Sequence, residues 1–155
     1  MDALELLRTD HQTVSELFGK AEETKTDTQK ERLFEQIRAA LEAHTHIEET
    51  IFYPALEERE ELKDLVTEAY EEHKQVKTLL REIGNLSDRS ERFDAKLKVM
   101  QENVEHHVEE EENEMFPMVE DLFSESELAE LGAQMEAAKK ETSKRKRSTA
   151  ASKRK

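Results

Sequence analysis

The sequence predicts an all-α protein: an antiparallel up-and-down four-helix bundle over residues 1–122, a short fifth helix packed on it over 123–141, and a disordered basic tail over 142–155. Three observations predict this. Helix breakers are scarce, with three glycines and two prolines in 155 residues, while charged residues reach 40 %, a composition that suits helix. Apolar residues recur every three or four positions along four long segments. The chain also contains an internal repeat that reads as two copies of one helical hairpin.

Leu4, Leu7, His11, Val14 and Phe18 form the stripe of a first helix from about Ala3 to Lys20. After the polar ETKTDTQ stretch a second stripe runs through Leu33, Phe34, Ile37, Leu41, His44, Glu48, Ile51, Phe52 and Ala55, and ends in a charged turn after Pro54. Leu62, Leu65, Val66, Ala69, His73, Val76, Leu80 and Ile83 form the third, which stops at Gly84-Asn85, a C-cap pair. The fourth helix starts at about Ser90 and carries Phe93, Leu97, Met100, Val104, Val108, Met115, Met118 and Leu122. Ser124-Glu-Ser-Glu127 has the form of a capping box opening the fifth helix, from Glu125 to about Glu141. The KRKRSTAASKRK end is low-complexity, hence the expected disorder.

Adding 62 to His11 gives His73, and DHQTVSELF lies over EHKQVKTLL. Adding 63 to His44, Glu48, Glu49 and Pro54 gives His107, Glu111, Glu112 and Pro117, so HTHIEETIFYP lies over HVEEEENEMFP. Each copy thus supplies one isolated histidine and one His-x-x-x-Glu. At ~100° per residue, His44 and Glu48 fall within ~60° of Leu41, and His107 and Glu111 within ~60° of Val104. They share the core face. His46, His106, Glu49 and Glu112 fall outside it, as rim residues or as partners that orient the inward groups. Pro54 spoils the wheel locally, so the sequence leaves open whether Tyr53 or Tyr70 reaches the same place.

A lone histidine on an apolar face is ordinarily a hydrogen-bonded core residue, and a buried carboxylate is costly unless paired or metal-bound. Four histidines and two glutamates repeated at a constant offset are better explained by metal. An i, i+4 pair projects from one face and can reach an ion between helices. Imidazole nitrogens with carboxylate oxygens, and no sulfur, suit Fe, Mn or Zn. Six donors are generous for one ion and fit two.

On these residues the chain resembles the hemerythrin-like, or HHE cation-binding, family of four-helix bundles. The resemblance rests on His11 after Asp10, His44-x-x-x-Glu48-Glu49 before Tyr53-Pro54, His73 after Glu72, and His107-x-x-x-Glu111-Glu112 before Phe116-Pro117, and covers Met1 to Leu122. It implies a non-haem di-iron centre in which His11 and His44 hold one iron, His73 and His107 the other, and Glu48 and Glu111 bridge them together with an oxo or hydroxo group. Oxygen-carrying hemerythrins have one more histidine, a turn after the third-helix one. Here that position is Lys77, which argues against reversible oxygen carriage and leaves coordination room for a small ligand. The resemblance therefore implies reaction with a small oxidant: decomposition of hydrogen peroxide in a catalase-like oxidoreductase, or binding of oxygen or nitric oxide. An oxygen- or iron-sensing module without turnover, and a metal-free helical interaction scaffold, are the competing expectations.

Composition excludes several other classes. With no cysteine, disulfides, thiolate metal sites and cysteine nucleophiles are ruled out. The N-terminus has no secretory pattern and no apolar run spans a bilayer, so a cytoplasmic protein without membrane contact is expected, as a monomer or weak dimer. Residues Lys139–Lys155 carry net +8 of the total of −14, which leaves −22 on the body. Such a body repels nucleic acid, and only the tail can offer weak, non-specific contact with it.

Overall fold

The computed structural model describes residues 1–86 and 91–153 and contains no strand among them. Its helices are α1 (Ala3–Glu23), α2 (Asp27–Ile47), α3 (Tyr53–Leu56), α4 (Lys63–Gly84), α5 (Glu91–Glu110), α6 (Phe116–Leu122) and α7 (Glu125–Lys153). A π-helical turn, Glu48–Phe52, fuses α2 to α3, and another, Glu111–Met115, fuses α5 to α6. The four long rods are therefore α1, α2–α3, α4 and α5–α6, an antiparallel bundle with α7 lying against α1 and α2.

Local chemistry sets the ends. Asp2 accepts from the Glu5 amide at 2.9 Å to cap α1, and Thr26 accepts from Gln29 at 3.3 Å to cap α2, each cap contributing about 1 kcal/mol. The expected capping box is present: Ser124 Oγ accepts from the Glu127 amide at 3.1 Å while Glu127 accepts from the Ser124 amide at 3.0 Å. The expected start at Ser90 lies outside the described residues.

One expectation holds and one changes. α4 ends at Gly84 with Asn85 as its C-cap, right-handed at φ −89°. Gly84 provides space, since a Cβ there would overlap the Arg38 guanidinium, which donates to the Leu80 carbonyl at 3.2 Å. Helix α7 runs to Lys153 rather than ending at Glu141. The stretch after Gly132 holds neither glycine nor proline, and its Ala, Lys and Arg favour continued helix.

The apolar core is in two parts. One cluster gathers Leu4, Leu7, Phe52, Leu56, Phe116 and Met135, the other Val14, Phe18, Phe34, Ile37, Leu80 and Phe93. Between them lies a layer of buried His and Glu side chains. The π turns sit at this layer because Pro54 and Pro117 stand mid-rod: a proline has no amide hydrogen, and its ring clashes with the carbonyl four residues back. Widening the turn lets Tyr53 N–H bond Glu48 O, and Phe116 N–H bond Glu111 O, five residues back.

Candidate metal centre

The structure brings all six expected residues together. His11, His44, His73 and His107 are 2–7 % exposed, and Glu48 and Glu111 at most 1 %. His44 Nε2 and His73 Nε2 approach Glu48 Oε1 at 3.1 and 3.0 Å. His11 Nε2 and His107 Nε2 approach the two oxygens of Glu111, each at 3.1 Å. Donor atoms of His11, His44, Glu48 and Glu111 lie within 4.8 Å of one another, as do those of Glu48, His73 and His107. Two adjacent groups, sharing Glu48, can thus each hold an ion.

Every imidazole is held from behind by a carboxylate on its Nδ1. Glu112 bonds His11 at 2.8 Å, Asp10 bonds His44 at 3.0 Å, Glu49 bonds His73 at 2.8 Å and Glu72 bonds His107 at 2.7 Å. These contacts hold each ring so that Nε2 faces inward. The pattern obeys the repeat, since Glu49 and Glu112 are equivalent, as are Asp10 and Glu72. Glu49 and Glu112 act as the orienting partners that the wheel allows, while His46 and His106 are exposed. The acid before each isolated histidine was visible in the repeat, but its partner on the neighbouring helix was not.

Of the two tyrosines that the sequence leaves open, Tyr53 reaches the layer. Its hydroxyl donates to Glu111 Oε2 at 2.5 Å and lies 3.3 Å from Nε2 of both His73 and His107. Counted at ~100° per residue from Leu41 it points ~120° away from the core, and the extra residue taken up in the π turn brings it back to ~20°. Tyr70 stays outside the layer, its ring edge-on to Tyr53 at 5.3 Å and its hydroxyl donating to Glu49 O at 3.4 Å. Lys77 does not enter either, because its Nζ bonds both oxygens of Glu49, at 2.9 and 2.7 Å.

The electrostatics are those of a buried salt cluster. Burial opposes the charge of His44, yet Glu48, Asp10 and Glu111 outweigh it and push its imidazole up to about 10. His107 likewise rises well above the usual range, burial being overcome by Glu111, Glu48 and Glu72. Burial would raise Glu48, but His44, His107 and His73 hold it well below the carboxylate range. Burial, reinforced by Glu111 and Glu48, drives the Tyr53 hydroxyl well above 10, so it stays a proton donor.

The residues present fit a pair of metal ions. Glu48 Oε2 is buried without a hydrogen-bond partner, and His44 Nε2, although 3.1 Å from Glu48 Oε1, makes no well-aligned hydrogen bond, a costly state for atoms that are also good ligands. The donors are nitrogen and oxygen only, as Fe, Mn and Zn accept. Beside the four histidines lies a cavity of about 20 Å³ walled by Val14, Leu41, Thr45, Val76, Val104 and Val108. It has room for one water-sized molecule.

Comparisons with known proteins bear on the family and the fold. The hemerythrin HHE cation binding domain matches residues 2–119. A crystal structure of a hemerythrin HHE cation binding domain-containing protein from Mycobacterium kansasii is 26 % identical, with a TM-score of 0.78 over 91 % of this chain and 86 % of that one. An uncharacterised protein of Mycobacterium tuberculosis is 27 % identical over 139 residues, 88 % of this chain and 84 % of its own. A DNA nickase of Nostoc sp. is also 27 % identical over 139 residues, but these make up 90 % of this chain and only 39 % of the nickase's length. No helix among the described residues is long and apolar enough to cross a membrane.

Proposed function

Because the chain belongs to the hemerythrin HHE cation-binding family, we propose that it holds two iron ions and reacts with a small oxidant, hydrogen peroxide being the leading candidate. His11 and His44 would hold one ion and His73 and His107 the other, with Glu48 and Glu111 supplying the carboxylates. The observation that carries this reading is the convergence of four Nε2 atoms on two buried glutamates, each imidazole braced on Nδ1 by a carboxylate. Bound iron supplies one-electron exchange between ferrous and ferric states.

The chain's own residues do the rest. The cavity of about 20 Å³ suits a small ligand of one or two non-hydrogen atoms. Its valine and leucine walls keep water scarce and strengthen the interactions of the polar groups they enclose. Tyr53 carries the one hydroxyl seen to bond a central carboxylate, Glu111, and burial keeps it protonated. It therefore holds a proton at the His73/His107 side. Lys77 is bonded to Glu49 where oxygen carriers place a histidine, so a coordination position is left for an exogenous ligand, which favours reaction over carriage.

Elemental analysis and oxygen evolution from added peroxide test the reading. The iron-loaded chain is expected to contain about two irons, by the count of donors a two-ion site requires, and to evolve oxygen, with the activity lost in His44→Ala. A chain that binds no metal would leave only a helical scaffold. Iron binding without turnover would point to sensing.

A further inference from the structure

We infer that Lys139, on α7 and outside the residues matched by the family, is a positioning residue for the His11/His44 half of the centre, acting through Asp10 on His44. The inference rests on the two-ion reading. Asp10 lies between two partners: its Oδ2 accepts from His44 Nδ1 at 3.0 Å, and its Oδ1 is paired with the Lys139 ammonium. Asp10 is only 9 % exposed, and a carboxylate at that depth is costly without a charge partner. The ammonium supplies one and fixes the carboxylate plane, which in turn fixes the ring whose Nε2 faces the site.

The docking of α7 sets where Lys139 stands. Gly132 packs on the chain's N-terminus so closely that a Cβ would lie 2.7 Å from the carbonyl carbon of Asp2 and 2.9 Å from the Ala3 nitrogen. Met135 is fully buried and Leu128 nearly so. Gly132, Met135 and Lys139 are spaced three and four apart, one face of the helix. A glycine contact and an apolar anchor thus deliver a cation to a buried acid. The corresponding acid of the other copy, Glu72, is differently placed: it holds His107 at 2.7 Å, and its second oxygen faces the exposed His106 at 3.7 Å. The His73/His107 half has its lysine elsewhere, in Lys77 on Glu49. Both halves are braced by a lysine, but one brace belongs to the bundle and the other to an appended helix. Neutralising Lys139 therefore loosens one half, while α7 keeps its packing on the Glu48–Phe52 turn.

Two measurements on the full chain test this. In the metal-free protein, Lys139→Met is expected to move the ring ¹⁵N resonances of His44 and leave those of His107 in place, with Lys139→Arg restoring the His44 signals. Ferrous iron is then titrated anaerobically into chains with one half disabled. In a His73→Ala background, which keeps the His11/His44 half, Lys139→Met should weaken binding about tenfold, the lower end for loss of an outer partner. In a His11→Ala background it should change affinity less than about twofold by the same standard. An unmoved His44 resonance, or equal weakening in both backgrounds, overturns the inference. If the wild-type chain takes up no ferrous iron, the two-ion reading and the affinity effect fail together, while the His44 resonance still decides the link from Lys139 through Asp10.

Discussion

The His11/His44 half and the His73/His107 half of the centre occupy equivalent positions of the repeat, and so do their surroundings. Val14 matches Val76 and Leu41 matches Val104 in the cavity wall, and the acids on Nδ1 match pairwise. Three neighbours break the symmetry. Tyr53, with its hydroxyl on Glu111, stands opposite Phe116, which stacks on His11 with ring centroids 6.2 Å apart. Lys139 from α7 braces one half and Lys77 the other. Thr45 lines the cavity where the other copy has Val108. The repeated residues make up the proposed metal-holding frame. The unmatched ones differ in protons and polarity, so the reactivity of the two halves is where they should differ.

The hardest test of the shared frame is Glu48→Gln. Glu48 approaches His44 and His73, one from each half, and an amide is a poor ligand and carries no charge to balance two cations. Both ions should be lost, with affinity falling by more than the ~10–100-fold typical of an outer partner, as read by metal content after dialysis. His44→Ala should instead remove the ion of its own half first. Equal retention of both ions in Glu48→Gln would falsify the bridging role.

Proton linkage separates the metal-free chain from the loaded one. His44 is raised from 6.5 to about 10 in the folded chain, so its contribution to stability is complete below 6.5 and vanishes as pH rises through 10. Glu48 is lowered from 4.5, so its contribution is present above 4.5 and is lost as pH falls through its folded value. Between roughly 4.5 and 6.5 both operate, and the metal-free chain should show its highest denaturation midpoint there. A metal replaces the imidazole protons, so the loaded chain should lose little stability between pH 6.5 and 10 and iron affinity should climb over that range. Urea melts of both forms across this interval check the contrast.

Much of this frame was legible before any coordinates. The repeat and the helical wheel independently selected His44, Glu48, His107 and Glu111, and the repeat added His11 and His73. Four of the five helices end within a turn or so of where their apolar stripes end. What escaped has physical causes. Tyr53 was obscured because a proline-induced π turn rotates everything after it, a change that a constant angular step does not contain. Asp10 and Glu72 brace histidines on neighbouring helices, and helix adjacency has no signature in local spacing. Lys139 depends on how α7 docks, which Gly132 reveals only once the N-terminus is seen against it. The extension of α7 to Lys153 has no apolar stripe to mark it, since a charged, low-complexity stretch carries only its plain helix propensity.

Making the halves alike at the aromatic position should have a middling effect. Tyr53→Phe removes a buried hydroxyl that donates to the Glu111 side chain at 2.5 Å, and losing such a buried partner costs about 1–3 kcal/mol. Part of that loss is offset because Glu111 Oε2 keeps His107 at 3.1 Å. A destabilisation of about 2 kcal/mol in the metal-free chain is expected by chemical denaturation. Metal content should stay near that of the wild type, while the rate with peroxide drops because the proton held at that half is gone. A change in metal content as large as that of His44→Ala would mean that Tyr53 belongs to the holding frame rather than to the part that differs.

Thr45→Val, which makes the two cavity walls match, should do least. The Thr45 hydroxyl bonds only the Glu42 carbonyl of its own helix, at 3.3 Å, and that carbonyl has the helical ladder to bond as well, so removing the donor orphans nothing. Valine and threonine share their branching and hence their preferred rotamers, and the new methyl group joins a wall already made of valines and a leucine. Stability should change by no more than about 1 kcal/mol, the net size of one neutral hydrogen bond, and azide association with the iron-loaded chain should be nearly unchanged. If instead the association rate falls several-fold while the equilibrium affinity holds, the threonine hydroxyl lies on the path by which small ligands enter, and the two walls, though equivalent in the repeat, divide between entry and closure.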